Sequence, residues 1–204
     1  MARKTKAEAE QTRLKIIEAA RQVFHECGVS RTTLEKVAEV AGVTRGAIYW
    51  HFKNKSALFF AMRDQATEHI AEAQAMLSSP DFPDPLDALE QSTLLFFSVL
   101  ENTPVVRQTF EIMSLRCEYV DEFAGVLAEA NQPCVGFLLT LKELYARAAE
   151  RDLLRPGFDP EMLAYDTLAF TKGLFKTLLS GGEKTEAGPG IPAMVANHVA
   201  LRRK

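Results

Sequence analysis

The stretch LEKVAEVAGVTRGAIYWH, residues 34–51, predicts two short helices joined by a tight turn. Apolar residues recur at spacings of three and four on either side of Gly42, which has the conformational freedom that such a turn needs. Thr44 is expected to cap the second helix with its hydroxyl. The side chains predicted to hold the two helices together are Leu34, Val37, Ala38, Val43, Ala47 and Ile48. A helix-turn-helix of this kind places its second helix in the major groove of DNA.

The side chains left on the open face of this motif are candidates for DNA contact. Arg45 can fork hydrogen bonds to the O6 and N7 atoms of guanine, and Gly46 lets the backbone come close to the base edges. Tyr49 and His51 can reach phosphate oxygens, and Lys55 is expected to add a phosphate contact at the positive N-terminus of the next helix. The predicted DNA-binding residues are Thr33, Thr44, Arg45, Gly46, Tyr49, Trp50, His51 and Lys55.

The aromatic residues of this face have a second interpretation. Tyr49, Trp50 and His51 would then pack against a neighbouring element, as aromatic side chains usually do. Packing does not explain why a short helix opens with Arg45 and Gly46 instead of stronger helix formers. DNA contact is therefore the favoured interpretation.

The charge of the chain is divided unevenly along its length. Residues 1–60 contain 11 Lys and Arg against 6 Asp and Glu, whereas residues 61–204 contain 13 against 21, for a net charge of −3. A basic beginning and an acidic remainder indicate that one end meets a polyanion while the other is kept away from it. An architectural protein that binds any DNA sequence would be basic along much of its length, so the acidic remainder argues against that class.

Helical periodicity extends over nearly all of the 204 residues, and no segment alternates like a strand. Thr32 and Glu35 have the spacing of a capping box at the start of the first short helix. The glycine-rich residues 180–190 predict a mobile loop. Helices are expected at about 12–27, 34–41, 45–51, 55–78, 86–102, 104–119, 122–152, 160–180 and 191–203. The fold class is therefore predicted to be all-α.

The histidines give no support to an enzyme. His25, His51, His69 and His198 are scattered, and the chain has no zinc-protease motif, phosphate loop or nucleophile elbow. No catalytic residue and no cofactor are predicted.

The cysteines and the hydropathy of the chain indicate the cellular compartment in which the protein is expected. Cys27, Cys117 and Cys134 are odd in number and lack a C-x-x-C spacing, so neither a metal site nor a disulfide framework is predicted. No apolar run reaches the ~18 residues of a membrane span, and the charged start does not resemble a signal peptide. We expect a cytoplasmic protein that does not bind membranes.

Residues 12–59, and above all GVTRGAIYWHFKNKS at 42–56, resemble the DNA-binding domain of the TetR family of bacterial repressors. The opening ARKTK at 2–6 and the pairs around Glu111 and Cys117 are similar to the multidrug-efflux branch of that family, the AcrR- and TtgR-like repressors. The resemblance implies a repressor that a small aromatic or hydrophobic inducer releases from a palindromic double-stranded operator. A regulator that senses a metabolite or acyl chain and controls metabolic genes is the alternative within the family.

The resemblance also implies two domains: a three-helix DNA-binding domain over residues 1–54 and a helical ligand-binding and dimerisation domain over residues 55–204. A homodimer is expected to form through helices 160–180 and 191–203. Helix 160–180 is apolar on more than one side, which fits burial from two directions.

The efflux-repressor branch further implies a ligand pocket in the larger domain. The implied lining residues are Leu89, Thr93, Phe96, Phe110, Met113, Ser114, Cys134, Phe137, Leu141, Leu168 and Thr171. This composition suits an aromatic pocket with a few polar anchors. Lys172 lies at a position where related repressors tend to carry an acidic residue. If its ammonium faces the cavity, neutral or anionic ligands are expected to be preferred. The alternative is a lysine exposed to solvent.

Overall fold

The computed structural model describes residues 6–120, 123–181 and 190–204. They form two compact units: an N-terminal unit, Met1–Thr67 with Val105–Ala130, and a C-terminal unit, Glu68–Pro104 with Asn131–Lys204. The helices are α1 (Lys6–Cys27), α2 (Leu34–Val40), α3 (Arg45–His51), α4 (Lys55–Glu68), α5 (Ala71–Met76), α6 (Pro85–Asn102), α7 (Pro104–Leu115), α8 (Val126–Ala130), α9 (Gln132–Glu150), α10 (Pro160–Ser180) and α11 (Ile191–Ala200). Within the described ranges the one extended pairing is an isolated bridge between Leu154 and Arg203, so the all-α prediction is confirmed.

The core of the N-terminal unit joins the helices around the predicted motif to the segment 105–130. The ring of Phe59 on α4 lies 6.4 Å from Phe24 on α1 and 5.5 Å from Phe123, between ring centroids. Arg21 is buried beside them, and its guanidinium donates to Glu18 and, at 2.6 Å, to Gln65 on α4. Residues 105–130 therefore belong to the unit that contains the helix-turn-helix and not to the C-terminal unit.

The turn of the helix-turn-helix forms as predicted, but the cap of its first helix is the neighbouring residue. Gly42 has φ of +65°, its N–H donates to Glu39 O, and Val43 N donates to Ala38 O at 3.0 Å. These bonds make a Schellman motif, in which glycine tolerates the left-handed conformation. Thr33, not Thr32, caps α2 by accepting from Lys36 N at 3.2 Å.

Thr32 fails as a cap because its side chain is already used elsewhere. It is buried, and its hydroxyl donates to Gly28 O at 2.8 Å. The predicted capping box of Thr32 and Glu35 is therefore wrong, and Glu35 is left on the surface of α2.

The helix predicted over 55–78 is broken into α4 and α5. The break falls at His69 and Ile70, and Ile70 has the non-helical angles φ −104° and ψ 2°. Thr67, His69 and Ile70 are weak helix formers, and the Thr67 hydroxyl bonds back to Asp64 O at 2.8 Å. The break coincides with the boundary between the two units.

Other helix ends also differ from the predictions, including the start of α1, which lies at Lys6 and not at about residue 12. The helix expected over 122–152 is the short α8 followed by α9, because Pro133 in the first turn of α9 cannot continue a preceding helix. Its predicted start at residue 122 lies outside the described residues, as do residues 182–189 of the predicted loop. Helix α7 ends at Leu115 and α11 at Ala200, both earlier than expected.

A buried polar network joins α9, α10 and α11 in the C-terminal unit. The hydroxyls of Tyr145 and Thr167 lie 2.6 Å apart, and His198 Nε2 lies 3.0 Å from Thr167 Oγ1. The His198 ring stacks on Phe170 with centroids 3.8 Å apart. Burial, helped by the charge of Arg202, lowers the pKa of His198 to about 4. The imidazole is therefore neutral at pH 7 and serves packing, not charge.

None of the helices within residues 6–120, 123–181 and 190–204 has the length and apolar character needed to span a bilayer.

Candidate nucleic-acid interface and effector site

Helix α3 presents one anchored side and one open side. Ile48 is fully buried, and Thr44 caps the helix by accepting from Ala47 N at 3.1 Å. Arg45 and Gly46, in the first turn of the helix, are exposed. The buried residue fixes the helix against its unit, so the exposed first turn is held in a defined position.

The aromatic residues of α3 differ in their surroundings. Trp50 is 73% exposed, and its ring meets the edge of half-buried His51 at 4.5 Å between centroids. Tyr49 is also exposed. Packing into the core therefore does not account for Trp50 or Tyr49, whereas contact with a partner does. The cap residue Thr33 is exposed as well.

Sequence reasoning missed an acidic residue that touches this face. Glu35 Oε1 on α2 lies 3.2 Å from Arg45 Nε and accepts from the Tyr49 hydroxyl at 3.2 Å. The guanidinium of Arg45 in turn lies over the Tyr49 ring, 5.7 Å from its centroid. The sequence analysis assigned Glu35 to a capping box. Its position on α2, across the turn from Arg45, was the signal that could have predicted this contact.

The structure corrects the role predicted for Lys55. Its side chain is buried, and Nζ donates to Thr32 O at 2.9 Å and to Ser30 O at 3.3 Å. The ammonium also lies over the Phe123 ring at 5.5 Å. An ammonium enclosed in this way is not placed to meet a phosphate, so Lys55 stabilises the N-terminal unit instead.

The residues implied for a ligand pocket fall in both units. Phe110, Met113 and Ser114 belong to the N-terminal unit, where Met113 is buried and Ser114 is exposed. The others belong to the C-terminal unit: Leu89, Thr93, Phe96, Cys134, Phe137, Leu141, Leu168 and Thr171.

Within the C-terminal unit, part of this set is brought together. Leu89 and Leu141 are buried in one cluster, and the half-buried Phe137 and Leu168 pack against it. Thr93 is buried and donates to Leu89 O at 2.7 Å.

Thr171 on α10 has a buried polar atom in this region. Its Oγ1 is inaccessible to solvent and has no hydrogen-bond partner among the described residues. Phe175, one turn further along the same helix, stacks on Phe96 with centroids 6.1 Å apart. Lys172 is exposed, which matches its solvent-facing interpretation and not the cavity-facing one. A buried hydroxyl beside aromatic rings is suited to anchor a polar group of an aromatic ligand.

The described residues contain no group of three or more His, Cys, Asp or Glu side chains that could hold a metal ion.

An all-α chain with an exposed, capped second helix of a helix-turn-helix and a separate helical unit defines a DNA-binding regulator. The family model for bacterial regulatory proteins of the tetR family matches residues 16–62. The HTH-type transcriptional regulator TtgR of Pseudomonas putida is 37% identical over 182 residues, which cover 88% of this chain and 85% of TtgR. The chain belongs to the TetR family of bacterial transcriptional regulators, which are DNA-binding proteins and not enzymes.

Two solved structures show how far the similarity extends. NalD, the secondary repressor of the MexAB-OprM multidrug efflux pump in Pseudomonas aeruginosa, superposes with a TM-score of 0.86 at 32% identity, covering 98% of this chain and 99% of NalD. The complex of SmeT with triclosan superposes with a TM-score of 0.80 at 29% identity, covering 95% and 92% of the two chains. SmeT is the repressor of the Stenotrophomonas maltophilia multidrug efflux pump SmeDEF. The predicted family is therefore confirmed, and repressors of multidrug efflux pumps are among the proteins that this chain resembles over nearly its whole length.

Proposed function

We propose that this protein represses a multidrug efflux operon from a palindromic operator in the cytoplasm and is released by a small aromatic or hydrophobic inducer. The similarity to NalD over nearly the whole length of both chains is the observation that carries this proposal. Residues 1–54 supply the DNA contacts and residues 55–204 the inducer site and the dimer contacts. A regulator that senses a metabolite or acyl chain remains the second candidate.

Repression and release are tested together on the DNA upstream of the protein's own gene. A gel shift with this fragment is expected to show a discrete complex that survives excess random DNA. Triclosan, with which SmeT forms a complex, and substrates of efflux pumps should dissociate the complex, whereas acyl chains should not. Dissolution by the second group alone would establish the metabolite-sensing alternative.

Replacing Arg45 is expected to remove recognition of one base pair in each half of the operator. The side chain is 74% exposed at the start of α3, and a forked arginine–guanine pair is worth about 1–3 kcal/mol of discrimination. Arg45→Ala should therefore bind the operator roughly tenfold or more weakly while binding random DNA nearly as well as the wild type. Fluorescence anisotropy with both duplexes measures this. Equal weakening on operator and random DNA would refute a base-reading role.

The buried hydroxyl of Thr171 supports a second prediction, for the inducer. Thr171→Val removes a polar atom that has no partner among the described residues, so the free protein should become more stable by about 1 kcal/mol. The same change should weaken binding of triclosan roughly tenfold if the hydroxyl anchors the ligand. Calorimetric titration and urea unfolding measure the two effects.

Thr93→Val is the matched control for this change. The Thr93 hydroxyl is also buried but already donates to Leu89 O, so its removal should cost stability and leave triclosan affinity nearly unchanged. A Thr171→Val variant that binds triclosan as tightly as the wild type would exclude Thr171 from the site.

Ligand and operator are expected to weaken one another by the same factor, because the coupling between two binding sites is reciprocal. The helix predicted over 55–78 is broken, so no single helix runs from the end of α3 to residue 78. The chain instead passes between the units at 67–68, 104–105 and 130–131.

A further inference from the structure

The carboxylate of Glu35 is placed among the side chains proposed to read DNA. It comes from α2, whereas Arg45 and Tyr49 come from α3. A single oxygen, Oε1, lies 3.2 Å from Arg45 Nε and 3.2 Å from the Tyr49 hydroxyl. With the guanidinium lying over the Tyr49 ring, the three side chains form a closed triangle across the turn.

Fold stability does not explain this triangle. The side chains of Arg45 and Glu35 are 74% and 46% exposed, and exposed ion pairs contribute little to stability. A carboxylate on a surface that meets phosphates also weakens DNA binding by repulsion. A residue that costs affinity and adds little stability needs another reason to lie there.

The geometry of the guanidinium supplies that reason. An arginine side chain has rotatable bonds that let its fork approach a base from several directions, and ordering them on binding costs entropy. Here the contact between Glu35 Oε1 and Nε, together with the position of the guanidinium over the Tyr49 ring, restricts the directions that the fork can take. Because the carboxylate contacts Nε, the two terminal nitrogens are available for the O6 and N7 atoms of guanine.

We propose that Glu35 is a positioning residue for base recognition, holding Arg45 and Tyr49 in their reading arrangement before DNA binds. The inference rests on the proposed role of Arg45. Glu35 limits the sequences that Arg45 accepts and reduces binding to random DNA.

The protonation state of Glu35 suits this role. Its own backbone N–H and then the Tyr49 hydroxyl bond to the carboxylate, and the charge of Arg45 adds to them, so the pKa of Glu35 lies below its ordinary value. The carboxylate is therefore ionised at neutral pH, when it can hold both partners.

The test uses Glu35→Ala with Glu39→Ala as its matched control. Both residues are exposed glutamates of α2, and both changes remove one negative charge and introduce a good helix former. Glu39 pairs with Lys36 at 3.1 Å and not with α3, so its loss leaves Arg45 untouched. Thermal unfolding should show both variants folded, with Glu35→Ala melting slightly lower because Glu35, unlike Glu39, lies in the first turn of α2, where a negative charge favours the helix.

The measurement is binding to a duplex selected by the wild-type protein from a randomised pool, and to duplexes in which each base pair is replaced in turn. Both variants should bind random DNA a few-fold more tightly, since each loses a repelling charge. Glu35→Ala alone should lose roughly five-fold of the discrimination at the base pair read by Arg45. In an Arg45→Ala background, Glu35→Ala should have no further effect on discrimination.

Each failure has its own signature. A wild-type protein that selects no sequence, or an Arg45→Ala variant with unchanged discrimination, would overturn the proposed reading function. Intact discrimination in Glu35→Ala, with loss in Arg45→Ala, would overturn only the positioning role. If Glu35→Ala and Glu39→Ala bind all the duplexes alike, Glu35 affects DNA binding only through its negative charge, and the positioning role is wrong.

Discussion

A glutamate at Ala169 is expected to convert the protein to monomers that bind their operator roughly 10²–10⁴-fold more weakly, the range lost when two linked binding modules are separated. Ala169 lies on an exposed face of α10 with Met162, Tyr165 and Gly173. Met194 in α11 and Leu201 directly after α11 are also exposed apolar residues. Small residues beside large apolar residues allow helices from two copies of the chain to pack closely. A glutamate in this face would be buried in the interface without a partner and would therefore prevent the two copies from associating.

Ala169→Glu is a better probe than a charge at Phe175. Phe175 is half-buried and stacks on Phe96 inside its own unit, so a charge there would damage the subunit as well as any interface. Ala169 is exposed in the single chain, and glutamate is a good helix former, so the folded subunit should tolerate it.

Ala75→Glu, at an exposed alanine of α5, is the matched control and should remain dimeric with full operator affinity. Sedimentation equilibrium gives the mass, and fluorescence anisotropy gives the affinity. A dimeric Ala169→Glu variant with normal operator binding would exclude this face of α10 from the interface.

The recognition helix could be predicted because its signals are local. Thr44 caps α3 through a residue three positions away, and Gly42 forms the turn through bonds within the same few residues. The exposure of Trp50, two residues after the buried Ile48, follows from the helical period, which turns the two side chains to different faces. Each of these features depends on residues that are neighbours in the sequence.

The errors arose where distant residues decide the outcome. Thr32 and Thr33 are equally good caps by type, but only the fold shows that Thr32 is taken by Gly28 O. The break between α4 and α5 lies at weak helix formers. The apolar period continues through residue 78, so periodicity alone predicted one continuous helix. The contacts of Glu35 with Arg45 and Tyr49 cross between helices and leave no periodic trace.

Removal of the Lys55 side-chain charge is expected to cost the N-terminal unit about 2–4 kcal/mol, since hydrogen bonds to a charged donor contribute about 1.5–3 kcal/mol. Nζ donates to two carbonyl oxygens, of Ser30 and Thr32, and its charge lies over Phe123. Lys55→Met keeps most of the apolar volume but leaves the buried Thr32 oxygen without this donor. Urea unfolding, followed by the circular dichroism of the helices, measures the loss.

Lys53→Met separates this structural role from a contact with phosphate. Lys53 is an exposed lysine two positions away, so its loss should leave stability unchanged and, if it meets a phosphate, lower the salt dependence of DNA binding by about one charge. Lys55→Met should show the reverse: a lower midpoint in urea, with the salt dependence of the folded protein preserved. The structural role is expected because two carbonyl oxygens and an aromatic ring enclose the Lys55 ammonium. A Lys55→Met variant that keeps its stability but has a weaker salt dependence would contradict it and support the phosphate contact predicted from the sequence.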